Sequence, residues 1–205
     1  MSYSADILPI LESVSKISDQ KGQMLNDDVG TLLLRAEKAG LTPLYELPLK
    51  EARAEFERRS GVLELEPEDV LKTSDILIGD GEEKLPTRLY WGHGCRHEAL
   101  VIFVHGGGWV LGNVESYDRF CRRFANRIGL PVVSIEYRLA PEHPFPTALN
   151  DVATAILACS DLAQMVGVGT EKWAMMGDSA EGNLVSAALL ELPRHNHSGL
   201  QFLIY

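Results

Sequence analysis

The spacing of apolar residues predicts a helical region at the start of the chain. Through the first 62 residues, apolar side chains recur every three or four positions, which is the spacing of amphipathic helices. This spacing predicts three helices, at residues 7–17, at residues 29–36, and at residues 48–59 with Gly61 past the end. Because no strand pattern separates them, residues 1–62 are predicted to form one helical domain.

From Thr73 onward, apolar runs of strand length are followed by segments of helical spacing. Strands are predicted at residues 73–78, 87–91, 100–105, 131–137, 171–176 and 200–205. Helices are predicted at residues 116–128, 148–163 and 184–192. Alternating strands and helices are joined by right-handed crossovers, which gives a mainly parallel sheet with helices on both faces. The fold class is therefore α/β, with residues 63–205 forming the sheet-containing core.

Composition and charge exclude several classes of partner. Twenty-nine acidic against nineteen basic residues give a formal charge of −10, which disfavours nucleic acid and anionic membranes. The three cysteines are scattered, so neither a disulfide framework nor a metal site is predicted. No apolar run is long enough to span a membrane, and no signal peptide is evident at the N-terminus. We therefore predict a cytoplasmic protein without metal or cofactor.

The stretch from Met176 to Asn183 places a serine where a predicted strand becomes a helix. At such a junction a tight turn lifts the hydroxyl of Ser179 above the sheet, towards the positive end of the following helix. The usual nucleophile pattern is G-x-S-x-G, but here the closing glycine is Glu181. A serine at a helix N-terminus is more often only a cap, so this motif alone does not decide the function.

A glycine-rich stretch, His105-Gly106-Gly107-Gly108-Trp109, directly follows the predicted strand that begins at Leu100. Consecutive glycines let the backbone approach a ligand and direct N–H groups towards it. A flexible turn and a phosphate cradle are the alternatives, but a phosphate loop opens directly into a helix and carries a Lys-Ser/Thr pair. Together, the two stretches fit acyl transfer, in which one supplies an oxyanion hole and the other a nucleophile.

Three ordered motifs carry a resemblance to a known family. They are residues 105–108, residues 137–146 (YRLAPEHPFP) and residues 177–183 (GDSAEGN). From about Asn26 to the end, the chain resembles the hormone-sensitive-lipase-like branch of the α/β hydrolases, which includes bacterial carboxylesterases and acetyl esterases. The resemblance implies an α/β-hydrolase fold in which residues 1–62 form a helical cap over the active site.

The resemblance also implies the roles of the site residues. Ser179 is expected to be the nucleophile, and the backbone N–H groups of Gly106, Gly107 and Ala180 are expected to stabilise the oxyanion. Three further residues of the motifs support this arrangement: His105, Gly108 and Asp178. The expected substrate is a small-molecule ester with a short- to medium-chain acyl group.

The acid and base of a catalytic triad are not found in the sequence. In this fold they follow the nucleophile, but only 26 residues come after Ser179. His195 lies at the far end of the predicted helix, roughly 20 Å or more from Ser179 at the helical rise per residue. His197 fails for the same reason unless the chain doubles back. The triad Asp and His, and the C-terminal strands that carry them in the family, are therefore predicted to be missing.

Three hypotheses remain open at this stage. The first is a serine ester hydrolase whose C-terminal third is elsewhere. The second is a non-catalytic protein that binds a small molecule on the same scaffold, as the plant gibberellin receptors do. The third is an inactive truncated product. The intact glycine motif and Ser179 favour the first hypothesis, because a pure binding protein has no need to keep a nucleophile.

Two local features carry further expectations. Glu181 adds bulk and charge where close helix–strand packing normally requires glycine, so it should turn outward, find a partner or become protonated, and glycine there should stabilise the fold. The last strand, residues 200–205, is nearly all apolar and contains neither lysine nor proline. This edge is expected to self-associate or to pair with the missing C-terminal part.

Overall fold

The computed structural model describes residues 27–63, 66–79, 84–169, 172–192 and 200–204. Contacts divide the chain into two compact units, Met1–Pro48 and Leu49–Tyr205. In the first unit, helix α1 (Asp27–Lys38) and a 3₁₀ turn (Leu44–Glu46) are described. Helix α1 confirms the helix predicted at residues 29–36, while the one predicted at residues 7–17 lies outside the described residues.

The second unit begins with helix α2 (Leu49–Leu63). The prediction that this helix ends before Gly61 is wrong. Gly61 lies inside α2 and does not adopt a positive φ. A positive φ is the conformation with which a glycine usually ends a helix. Residues 49–62 are predicted to belong with the N-terminal helices, whereas the structure places α2 in the same unit as the sheet.

A six-stranded sheet forms the centre of this unit. Its strands are β1 (Lys72–Ile78), β2 (Leu85–Trp91), β3 (Leu100–Val104), β4 (Val132–Ile135), β5 (Trp173–Asp178) and β6 (Leu200–Ile204). The spatial order is β1-β2-β4-β3-β5-β6. Strand β2 pairs antiparallel with both β1 and β4, and the other three pairings are parallel. The mainly parallel sheet is therefore confirmed.

Four helices connect the strands of the sheet. They are α3 (Asp118–Ile128), α4 (Thr147–Leu157), α5 (Cys159–Met165) and α6 (Ala180–Glu191). The single helix predicted over residues 148–163 is wrong, because the structure has two helices that meet at Ala158. At Ala158 the ψ angle is −1°, which departs from the α-helical value of about −42° and marks the boundary between the two helices.

Strand β3 is buried on both faces, which explains its uninterrupted apolar sequence. Leu100, Ile102 and Val104 belong to the larger core, which also contains buried residues of α4, α5 and α6. Val101 and Phe103 point to the opposite face and pack in a cluster with residues of α3. The predicted helices on both faces of the sheet are thus confirmed, and the core fixes the strands that lead into the two motifs.

The described residues contain no helix that is long and apolar enough to cross a membrane. Nor do the described side chains include a group of three or more His, Cys, Asp and Glu residues arranged to hold a metal ion.

Candidate active site

Two neighbouring parallel strands bring the predicted motifs together. Strands β3 and β5 are hydrogen-bonded, and Val104 is in register with Gly177. The carboxyl ends of parallel strands meet at one edge of a sheet, where ligands of α/β proteins commonly bind. The glycine loop (residues 105–112), which follows β3, therefore lies beside Ser179, which follows β5.

Ser179 occupies a sharp turn between β5 and α6. Its φ is 58° and its ψ is −126°, and Trp109 is the only other described non-glycine residue with positive φ. Such a conformation costs a non-glycine residue of order 1–3 kcal/mol, so the surrounding structure must hold it. A Cβ atom at Gly177 would lie 2.5 Å from the carbonyl oxygen of Glu181, so this position requires glycine for the strand end to pack on the helix.

The Ser179 hydroxyl is not used as a helix cap. Among the described residues it has no hydrogen-bond partner, and none of the four histidines there, His93, His97, His105 and His143, contacts it by a hydrogen bond. His195 and His197 lie outside the described residues. The turn therefore presents a serine hydroxyl that the described structure does not engage.

The glycine loop depends on conformations that other residues rarely adopt. Gly107 has a φ of 147° and Gly108 a φ of 62°. The N–H of Leu111 donates to the carbonyl oxygen of Gly107 at 2.9 Å, which closes the loop tightly. A Cβ atom at Gly107 would overlap the carbonyl group of Leu111. Only glycine fits at this position without a shift of the backbone.

The N–H groups of Gly107 and Ala180 donate to no acceptor within the described structure. The N–H of Gly106, in contrast, faces the hydroxyl of Tyr117. Sequence reasoning assigns all three groups to an oxyanion hole. In the structure two of them are unengaged, and the third lies beside a side chain whose position the sequence pattern does not predict.

Asp178 points towards Tyr117. The Tyr117 hydroxyl donates to Oδ2 of Asp178 at 2.8 Å, and burial together with this carboxylate raises the pKa of Tyr117. A Cβ atom at Gly106 would overlap the same carboxylate. Asp178 therefore lies against the first glycine of the loop, in keeping with a supporting role.

His105 is completely buried at the start of the glycine loop. Its ring stacks on Tyr137 with centroids 4.5 Å apart, and its Nδ1 lies 3.2 Å from the carbonyl oxygen of Gly106. Its Nε2 has no hydrogen-bond partner in the described residues. Burial lowers the pKa of His105 to about 4, so the ring is neutral at physiological pH and packs the base of the loop.

We expect the NMR resonances of the His105 ring to stay unshifted from pH 8 to pH 5. An unfolded histidine titrates near pH 6.5, so between about pH 6.5 and 4 the unfolded chain binds a proton that the folded chain does not. The contribution of His105 to stability is therefore present above about pH 6.5 and is lost as the pH falls towards 4, by about 3 kcal/mol. A His105 midpoint near 6.5 would refute the assignment.

Arg53, which sequence analysis did not single out, joins the two loops around the site. From α2, its Nε donates to the carbonyl oxygen of Val110 and its Nη2 to that of Ala140, both at 2.9 Å. The same guanidinium forms a bidentate pair with Glu142 at 2.8 and 2.7 Å. The N–H of Ala140 also donates to the carbonyl oxygen of Trp109 at 2.9 Å. An arginine on a polar helix gives no sequence signal for this role.

Replacing Arg53 with alanine is expected to lower the free energy of unfolding by about 2 kcal/mol, because two charged hydrogen bonds to backbone carbonyl groups are lost. Chemical denaturation of the Arg53→Ala and Arg58→Ala variants would measure the difference. Arg58 is the matched control, since this exposed residue of the same helix pairs, among the described residues, only with Glu55 of its own helix. Equal effects of the two substitutions would contradict the proposed connection.

Glu181 is fully buried, although it replaces the closing glycine of the motif. Its Oε1 accepts hydrogen bonds from the Tyr137 hydroxyl at 2.6 Å and from the N–H of Trp109 at 3.1 Å. Of the outcomes expected from the sequence, the side chain has found a partner. Because its removal would also remove both hydrogen bonds, the structure argues against the expectation that glycine at this position stabilises the fold.

An apolar cavity of about 300 Å³ lies between the glycine loop and α6. Trp109 borders it from the loop, and Leu184 and Ala187 border it from the helix that Ser179 begins. Leu149 of α4 and Phe145 from the motif at residues 137–146 complete much of its apolar wall. The cavity therefore adjoins both halves of the candidate site.

Residues 101–205, which include all three motifs, match the sequence model of a family described as having the alpha/beta hydrolase fold. This chain belongs to the α/β-hydrolase family. The expected order of the glycine loop and the serine turn in this fold agrees with the observed geometry.

Individual relatives place the chain in the hormone-sensitive-lipase-like branch. An ethyl acetate hydrolase from Pseudomonas putida is 32% identical over 193 residues, which cover 88% of this chain and 60% of the relative. Bovine (Bos taurus) hormone-sensitive lipase is 35% identical over 119 residues, 58% of this chain and 16% of the lipase. The structure of a hyperthermophilic esterase from the archaeon Pyrobaculum calidifontis superimposes with a TM-score of 0.74 at 34% identity, covering 84% of this chain and 55% of that one. The chain thus spans 60% or less of the length of each.

Proposed function

We propose that the protein is a serine carboxylic ester hydrolase in which Ser179 forms an acyl-enzyme. The hydroxyl oxygen attacks the acyl carbonyl, the alcohol leaves, and water then releases the carboxylic acid and restores the serine. The observation that carries this proposal is the strained turn at Ser179, which holds an unengaged hydroxyl beside the glycine loop. The esterase and hydrolase names of the relatives support the same reaction class.

The N–H groups of Gly107 and Ala180 are the proposed oxyanion donors. Both are unengaged in the described structure, and Ala180 directly follows the nucleophile at the positive end of α6. Each such donor contributes about 3–4 kcal/mol to the lowering of the barrier. Gly106, whose N–H faces Tyr117, serves instead to admit the Asp178 carboxylate beneath the loop.

The proposed substrates are esters with short- to medium-chain acyl groups. The cavity beside Trp109 is apolar and holds about 300 Å³, at the lower end of the range for small-molecule pockets. A long acyl chain exceeds this volume, and a charged acyl group would meet few polar groups in the cavity wall. The acyl group is therefore assigned to this cavity, with the carbonyl carbon at Ser179.

The general base and its orienting acid are proposed to come from sequence outside the described residues. The hydroxyl of Ser179 contacts no described histidine, and a serine needs such a base for efficient acylation. The outer edge of β6 is unpaired in the described sheet. We propose that this edge pairs with a further strand, either from a C-terminal segment or from a second copy of the chain.

A burst experiment with p-nitrophenyl acetate tests the hydrolase proposal. Mixing with excess ester should release about one nitrophenolate per Ser179 before a still slower steady state, because acylation releases the alcohol before water attacks. A protein that only binds small molecules would release none above the uncatalysed rate, and that result would refute the proposal. Comparing acetate, butyrate and dodecanoate esters tests the acyl cavity, since the longest should acylate slowest.

A further inference from the structure

Glu181 connects the two halves of the candidate site. It lies in the first turn of α6, two residues after Ser179, and its carboxyl group reaches the backbone of the glycine loop at Trp109. The side chain is fully buried, so water does not compete for these contacts. Since the usual motif has glycine here, the connection is specific to the glutamate of this sequence.

The contact with Trp109 holds a strained corner of the loop. Trp109 has a φ of 64°, and its peptide group directly follows the glycine triplet. On the other side, the carbonyl oxygen of Trp109 accepts the N–H of Ala140, and Arg53 binds the next carbonyl oxygen, that of Val110. These outer bonds fix the loop to Ala140 and Arg53, whereas the bond to Glu181 fixes it to the helix that Ser179 begins.

Tyr137 holds the carboxyl group in place. Its hydroxyl lies 2.6 Å from Oε1 of Glu181 and 3.2 Å from the carbonyl oxygen of His105. Burial raises the pKa of Glu181, and the hydrogen bonds from Tyr137 and Trp109 partly offset this rise. The negative charge of Asp178 raises the pKa of Glu181 further. Both hydrogen bonds fall on Oε1, while Oε2 has no partner among the described residues.

We infer that Glu181 is a positioning residue that sets the separation between Ser179 and the oxyanion donor at Gly107. The inference rests on the proposed function, because the separation matters only if these groups act on one substrate. A displacement of about 1 Å between reacting groups can lower a rate 100-fold. A hydrogen bond that joins the two elements directly is therefore a means of holding the separation constant.

The substitutions Glu181→Gln and Glu181→Met separate positioning from packing. Glutamine and methionine have nearly the volume of glutamate, but only glutamine keeps an acceptor oxygen at the same reach. We expect the glutamine variant to react with an organophosphonate at Ser179 within about threefold of the unsubstituted rate, and the methionine variant at least about tenfold more slowly. The reversible affinity for the probe should be similar in both. Glu191→Gln, at the exposed far end of α6, is the control.

Amide hydrogen exchange at Trp109 tests the connection without requiring any reaction at Ser179. The Trp109 N–H should exchange at least about tenfold faster in Glu181→Met than in Glu181→Gln. Equal exchange in the two variants would refute the hydrogen bond, and faster exchange with equal labelling would refute the positioning role. If the unsubstituted chain is not labelled, the proposed function fails and the positioning role with it, while the exchange result still reports whether the bond exists.

Discussion

The Ser179→Ala variant is expected to lose all covalent labelling by a serine-directed organophosphonate. The reagent reacts with a hydroxyl that is presented at a strained turn and aided by backbone donors, and the described structure offers only Ser179 in this setting. Intact-mass measurement over time would show one adduct per chain before the substitution and none after it. Because no described base contacts the hydroxyl, labelling of this chain alone should be slow, although an oxyanion hole retains part of the rate.

Ser186→Ala is the matched control for this experiment. Ser186 lies on the same helix, but its hydroxyl donates to the carbonyl oxygen of Gly182 at 2.9 Å and is held within the helix. Its substitution should leave the labelling rate unchanged. Labelling that persists in Ser179→Ala, or that disappears in Ser186→Ala, would contradict the assignment of the nucleophile.

The Gly107→Ala variant is expected to lower the labelling rate at Ser179 at least about 100-fold, which is the effect of losing one oxyanion donor. Alanine at this position must avoid the carbonyl group of Leu111, and it also adopts a φ of 147° that L-residues rarely tolerate. The backbone around Gly107 would have to move, and its N–H would move with it. Thermal unfolding, measured in parallel, should show a loss of stability as well.

Gly94→Ala separates local backbone strain from damage to the loop. Gly94 also has positive φ, 69°, but no other atom lies within 4 Å of an added Cβ atom, and it is distant in sequence from both motifs. This substitution should cost stability through its φ alone, about 1 kcal/mol, and should leave labelling intact. Equal labelling rates for the two variants would refute the role of Gly107 in the oxyanion hole.

Much of the sheet was predictable because its central strands are buried on both faces. Burial of all five residues of β3 requires an uninterrupted apolar run, and such a run is visible in the sequence. The glycine loop and Ser179 are predicted to act in one reaction because their motifs together fit acyl transfer, and the pairing of β3 with β5 brings them to one edge of the sheet. The adjacency of β3 and β5 is itself a property of the fold, which the resemblance to a family supplied.

The contacts that hold the site were not predictable from local pattern. Arg53 and Glu142 are 89 positions apart, and Tyr137 and Glu181 are 44 apart, so neither pairing leaves a periodic signal. The break at Ala158 was missed because it rests on a single ψ angle, in a residue with high helix propensity. Gly61 is predicted to end a helix, but glycine does so only when it adopts the left-handed conformation, and sequence alone does not fix that choice.

The central claim is that Ser179 carries the acyl group during ester hydrolysis. It is tested most directly by quenching the reaction with p-nitrophenyl butyrate in acid during the burst, digesting the protein, and locating the acyl group by tandem mass spectrometry. The account predicts one butyryl group, attached to Ser179, which disappears as turnover is completed. A butyryl group on another residue, or release of nitrophenolate without any acylated peptide, would contradict it.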